Sequence, residues 1–320
     1  MPPTQQRTRA AAGAVLAGAA VLALYGSAAR AQIRAAVLAR LRATRAVETV
    51  GGYRLAARRA RYPVAGASYA WLEAGTLVEP HVAIVLEVAG FSSGRRAGGD
   101  AVEWSIETLD AAGIGRVVDA HSPLRATAHF EAVGTYRAAT FVDGVAVSSI
   151  LTCRYVRREI RSLDDDDRAA FFDAVRTLTT TPNDEGSRLY GPNYRNLAHF
   201  TGIHLQNAVP NKHEDRFHDG FGFVSQHIAI TADFELALQV VNPAVSIPYW
   251  DYTIDWQDAT QRAKGAMAAA AEPYLWDADV WREDWFGNAT GSPRHTVETG
   301  RFAFVDVGDK PAGATWAANP

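Results

Sequence analysis

The 320-residue sequence predicts a multidomain chain, an N-terminal antiparallel β-sandwich followed by a mainly α-helical domain. Three observations carry that prediction. Residues 62–153 form a succession of short apolar or alternating runs separated by glycine-rich turns, the pattern of strands. After Ser162 the apolar period lengthens to that of helices. A hydrophobic content of 48% with 21% charged residues belongs to globular chains, and the length suffices for two separate cores.

The leader comes first. Residues 1–60 carry ten arginines and one acid, Glu48, for a net charge of +9, whereas residues 61–320 carry a net of −12. An acidic body argues against nucleic-acid binding. Arg7 and Arg9 precede an apolar run from Ala11 to Tyr25, and Ala29-Arg30-Ala31 offers a small-x-small cleavage site before Gln32. This is the layout of a secretory signal over residues 1–31, with residues 32–61 as an Arg-rich linker. Left uncleaved, residues 11–25 would anchor the chain at a membrane; read as a transit peptide, residues 30–59 would direct it to a plastid or mitochondrion. Cys153 is the sole cysteine, so no intrachain disulfide forms. The sequon Asn288-Ala289-Thr290 is a motif common by chance.

The sandwich is expected over 62–153. His81 to Phe91 is continuously apolar enough for a core strand. Residues 101–109 alternate, with Val102, Trp104, Ile106 and Thr108 on one face. Tyr136 to Val142 and Val145 to Tyr155 are two more strands around a hairpin signal, Asp143-Gly144, while Gly94 to Gly99 and Gly113 to Gly115 mark turns. The stretch Glu131 to Tyr136 resembles the tyrosine corner of Ig-like and PKD-like sandwiches. Such domains bind or space, so no catalysis is assigned to it, and its partner is unspecified.

Residues 154–320 form the helical part. Asp164 is a candidate cap with Asp167 three residues on, and four acids suit the positive end of a helix dipole better than they suit a metal site. Phe171, Phe172, Val175 and Leu178 then mark an apolar face. A second helix is expected over Tyr194 to Leu205 and a third over Phe223 to Val241, ended by Asn242-Pro243. On the third, His227, Ile230, Thr231, Phe234, Leu238 and Val241 fall on one inward stripe, which would point His227 into a core.

Five of the nine histidines, His199, His204, His213, His218 and His227, crowd into this stretch. Imidazole suits copper, zinc, iron and nickel. His199 and His204, five residues apart, point about 140° apart on a helix and cannot readily serve one ion together. A lone histidine on a helix stripe is more often a hydrogen-bonded core residue than a ligand. The surrounding residues point the other way.

His218, Phe223, His227 nine residues after His218, Glu235 eight further on, and Pro248-Tyr249-Trp250-Asp251 together resemble the first copper-binding half of the tyrosinase family. Tyr194, Ala198 and Ile203-His204 are similar to the helix end that carries the family's earliest ligand. The resemblance therefore implies His204, His218 and His227 as metal ligands, with His199 and His213 less favoured. Tyr155 to Leu163, Trp285-Phe286-Gly287 and His295 to Ala303 extend it over roughly residues 155–308. Gln226 and Ile228 depart from it, since the family usually has Trp and Arg there. No cysteine lies between His204 and His218, which excludes a thioether-linked histidine.

The family resemblance implies two coppers, each held by three imidazoles, with dioxygen as oxidant. The second copper needs an HxxxH pair on one helix, where a spacing of four puts both rings on one face, and a later histidine. This sequence has no HxxxH, and His295, set in a loop, is the sole histidine in the 93 residues after His227. One copper site is therefore present, in a copper bundle left incomplete at its C-terminal side, with an apolar seam on its helices. A truncated product of a longer gene is expected, with a degenerate relative as the alternative. The resemblance implies oxidation of phenols or o-diphenols to quinones. The alternatives are a non-catalytic tyrosinase-like binding protein at a surface or membrane, and a hemocyanin-like dioxygen binder. Glu235 and Asp251 are expected to be structural.

Overall fold

In a computed structural model of the chain, the residues described are 53–62, 76–90, 102–110, 112–142, 145–208, 215–264, 268–290, 292–293 and 296–305. The leader, the turns of Gly94 to Gly99, Asp143-Gly144, His213 and His295 lie outside them. The chain divides into two compact units, Met1–Val156 and Arg157–Pro320. No helix among the described residues is long and apolar enough to cross a membrane.

Among the described residues the first unit holds eight strands: β1 Arg54–Arg59, β2 Thr76–Val78, β3 Ile84–Ala89, β4 Trp104–Thr108, β5 Gly115–Ser122, β6 Arg125–Phe130, β7 Gly134–Val142 and β8 Val145–Cys153. They form two four-stranded sheets, ordered β1-β3-β6-β5 and β2-β8-β7-β4. Alternation decides which side chains meet. Ile84, Leu86 and Val88 of β3 and Ala128 and Phe130 of β6 enter one buried cluster with Tyr136, Ala138, Val142, Val147 and Leu151 of β7 and β8. Phe130 and Tyr136 meet edge to face at 4.8 Å, an arrangement worth about 0.5–1.5 kcal/mol beyond the area it buries. Trp104 of β4 donates its indole N–H to the carbonyl of Ser122 at the end of β5, joining the sheets along one side (2.8 Å). The Tyr136 hydroxyl donates to the carbonyl of Ala132, four residues upstream, at 2.7 Å.

Three expectations are corrected here. The stretch read as an Arg-rich linker ends in a strand: Arg54, Ala56 and Arg58 alternate with buried Leu55 and Ala57, and Arg59, on the same face as those two, pairs with Glu79 at 3.0 Å. The arginines hid a period-two pattern whose apolar members are small. The sheets are not wholly antiparallel, because β2 pairs with β8 in parallel. β5 and β6 were not anticipated as strands: small, charged and histidine residues break up Val117-Val118 and Phe130, and pairing between the strands holds them extended.

The second unit contains six α-helices among the described residues: α1 Asp165–Thr180, α2 Asn183–Tyr190, α3 Leu197–Ala208, α4 Phe221–Val241, α5 Tyr252–Arg262 and α6 Ala268–Leu275. Asp164 caps α1 by accepting from the Asp167 amide (2.8 Å), as its position indicated. Phe172 lies at the centre of the core, within ring contact of Phe171, Trp285, Phe286 and Phe302. The helix expected from Tyr194 begins at Leu197 instead. Tyr194 is fully buried and its hydroxyl is shared between the carbonyls of Thr177 and Thr181 at the end of α1 (3.1 Å each). Gly186 makes room for this ring, since a Cβ there would come within 2.0 Å of Tyr194 Cε1. The tyrosine thus locks the approach to α3 against α1 and α2.

The lead-in segment 157–163 binds the turn after α4. The Ile160 amide donates to the Tyr249 carbonyl and the Tyr249 amide to the Arg158 carbonyl (2.9 Å each), and the Arg161 guanidinium reaches Asp255, Glu159 and the Asp251 carbonyl. Asp251 caps α5 by accepting from the Thr253 amide (3.1 Å). In the sequon, Asn288 donates its side-chain amide to the Trp276 carbonyl (2.9 Å).

Candidate metal centre

Three side chains converge at the open end of α3 and α4. His204 sits on the last turn of α3, His218 in the turn that follows, and His227 on the second turn of α4. One ring nitrogen from each lies within 4.8 Å of the others. The ring centroids are 5.1 Å apart for His204–His218 and 5.6 Å for each of the pairs that include His227.

Local sequence explains why they meet. The Arg216 amide donates to the Asn207 carbonyl at 3.0 Å, tying the turn to the end of α3. Asp215 Oδ1 accepts from the amides of Phe217 and His218, at 3.0 and 2.9 Å, closing a tight turn on itself. Gly220 then takes φ +59 and ends the turn as the residue before α4, a backbone state that glycine enters without a steric penalty. Gly222 completes the entry, since a Cβ would lie 2.3 Å from the Arg216 carbonyl oxygen.

Two of the imidazoles are oriented by hydrogen bonds. Asp215 Oδ2 lies 2.8 Å from Nδ1 of His218, and the Phe223 carbonyl lies 2.7 Å from Nδ1 of His227. Both are acceptors once Asp215 is ionised, so they put the proton on Nδ1 and leave Nε2 as the electron-pair donor. Partial burial raises the Asp215 carboxyl, but the hydrogen bonds from the His218 side chain and from the two amides bring it net below the usual aspartate range. Phe217, buried, packs against His204 and His227 at 5.0 and 5.4 Å and closes the inner side of the cluster.

The donor set fits a transition metal that accepts nitrogen. Three imidazoles and no directly grouped carboxylate disfavour calcium and magnesium and suit copper or zinc. His227 does not enter the apolar core as its helix stripe implied. That stripe is buried at Leu238, whereas His227 near the other end is only half-buried and faces the two other imidazoles.

Other candidates separate from this cluster. His199 packs edge-on against Phe200 at 5.2 Å and lines a cavity of about 510 Å³ with Asn193, Arg195, Asp233 and Leu236. Glu235 binds Arg157 through both carboxylate oxygens (3.2 and 2.7 Å) and accepts from Ser246 and the Ile247 amide, so it ties α4 to the turn that follows. Gln226 and Ile228 are exposed. Asp215 and Phe217 were not singled out from sequence. An aspartate three residues before a candidate histidine ligand is the signal that could have found the first.

The fold and the site define a helical unit in which three histidines are placed so that they could hold a transition metal. Residues 194–316 match the family model for the common central domain of tyrosinase. Over 160 residues, half of this chain, the sequence is 26% identical to a Caenorhabditis elegans protein whose provisional name is tyrosinase-like protein tyr-3. The match covers 18% of that relative's length. Both comparisons support the tyrosinase family for this region, and a tyrosinase domain implies copper.

Proposed function

We propose that this protein is a copper-dependent oxidoreductase that converts phenols or o-diphenols to quinones with dioxygen. The observation that carries the reading is the convergence of His204, His218 and His227, two of them with Nδ1 already engaged by an acceptor. In this reading the three Nε2 atoms hold the first copper, and a second is held by histidines that these 320 residues do not supply. Copper, when bound, supplies the redox chemistry with dioxygen. Asp215 keeps the His218 imidazole in its ligating tautomer, the Phe223 carbonyl does the same for His227, and Phe217 keeps water from the inner side. The half-exposed outer side of His218 leaves an approach for a phenol ring.

Copper analysis and catechol-dependent oxygen uptake of the full-length protein test the proposal. Bound copper with turnover is the expected result, and a protein without copper overturns it. The exposed Gln226 and Ile228 beside His227 favour a second reading, a tyrosinase-like protein that binds without catalysing. Bound copper with no turnover would select that reading, or reversible dioxygen binding of the hemocyanin type.

We further propose that the first unit is an Ig-like or PKD-like spacer, supported by the hydrogen bond from Tyr136 to Ala132 in the tyrosine-corner position. Residues 1–31 are proposed as a secretory signal or anchor, on their charge and apolar pattern.

A further inference from the structure

The sandwich contains a second meeting of histidines. His129 is the penultimate residue of β6, and His81 lies in the turn that leads to β3. Their ring centroids are 6.2 Å apart, edge to face, close to the spacings within the first histidine cluster.

Two independent observations single this pair out. Nδ1 of His129 is buried and has no hydrogen-bond partner among the described residues. Buried polar atoms are nearly always satisfied, so an orphan of this kind calls for a water or an ion. His81, meanwhile, has φ +60, a left-handed backbone that a residue with a Cβ rarely adopts. It follows Pro80 in a position where turns favour glycine, and its amide donates to the Phe130 carbonyl at 2.8 Å. That bond docks the His81 backbone on the strand end that carries His129. A strained residue that keeps its side chain at such a place is a recurrent mark of a functional site.

We propose that His81 and His129 form a second metal-binding site, for a divalent ion that favours imidazole, such as zinc or copper. The local electrostatics agree. Burial, and then the neighbouring His129, hold His81 below the usual histidine range, which keeps the imidazole in its neutral, ligating form. Glu131, just beyond β6, acts on His81 in the opposite sense and brings a carboxylate to the same end of the sheet. Arg116, paired in register with His129 across β5, is exposed. Two imidazoles with water completing the shell form a site of moderate affinity, distinct in residues and in unit from the three-histidine centre.

The test is zinc binding to the full chain by equilibrium dialysis at neutral pH, with zinc alone as probe. Two zinc equivalents are expected for the wild-type chain and one for His81→Gly, a change that removes the imidazole and relieves the left-handed backbone. His204→Ala should conversely weaken the other equivalent and leave this one. In titrations that resolve the two sites, His129→Gln should lower the affinity of the sandwich site by at least tenfold, by analogy with the 10- to 100-fold losses from removing even supporting groups around metals. Circular dichroism checks that each variant is folded. Unchanged zinc stoichiometry in His81→Gly overturns the proposal, as does a folded His204→Ala variant that binds no zinc.

Discussion

Asp215 Oδ2 and Nδ1 of His218 are 2.8 Å apart, and the same carboxylate accepts the backbone amide of the same histidine. One side chain therefore fixes both the position and the tautomer of an imidazole in the candidate metal site. Removing that acceptor in Asp215→Asn should lower copper affinity by about 10- to 100-fold, with the helices intact. Chelator competition followed by circular dichroism checks it, and wild-type affinity in the variant would remove Asp215 from the site.

Acid should act on this cluster in two stages. Metal binding needs neutral imidazoles, so on the proposed reading a metal held by His204, His218 and His227 should be released in acid. The Asp215 carboxyl, held below the usual range, contributes stability to the apo protein that is fully present above that range and lost as pH falls through it. The acid limb of melting temperature against pH should therefore flatten in Asp215→Asn below about pH 4, the ordinary aspartate value. An unchanged limb would contradict the assignment.

Glu235 bears on stability rather than on metal binding. It is largely buried, holds the half-exposed Arg157 and accepts from Ser246 and the Ile247 amide, so Glu235→Ala leaves the part-buried Ser246 hydroxyl and Ile247 amide without this acceptor. A loss of about 1–3 kcal/mol in denaturant unfolding is expected, with copper stoichiometry unchanged. Loss of copper from a folded variant would instead give it a part in the centre.

Gly186→Ala should be among the more damaging single-methyl changes in the second unit. The added Cβ would collide with the Tyr194 ring, and overpacking of this kind costs about 1–3 kcal/mol. Thermal unfolding measures it. An unperturbed melting temperature would mean that Tyr194 is free to shift.

Cys153 should be inert. Burial pushes its thiol up to about 12, against a smaller downward pull from Arg154, so little thiolate exists at neutral pH. A thiol reagent should react with the unfolded chain and spare the native one, and rapid native labelling would contradict the buried placement.

The strands of 134–153 and three helices, α1, α3 and α4, were legible from their apolar spacing, whereas α2, α5 and α6, at 8, 11 and 8 residues, were not anticipated. Nor was β1, because three arginines among six residues mask two small buried side chains. The resemblance to the tyrosinase family singled out His204, His218 and His227, and the structure brings one ring nitrogen of each within 4.8 Å of the others. Phe217 and Asp215 were not singled out, because their roles exist only once the turn has closed.

The sequence by itself determined the order of the two units and the Asp164 cap. Those depend on neighbours a few residues apart, where backbone geometry leaves few choices. The tertiary structure alone decided that β2 runs parallel to β8, that Tyr194 fills the space over Gly186, and that His81 meets His129. His81 and His129 lie 48 residues apart in sequence. Contacts at such separations are set by how the strands pair, and no local pattern encodes that.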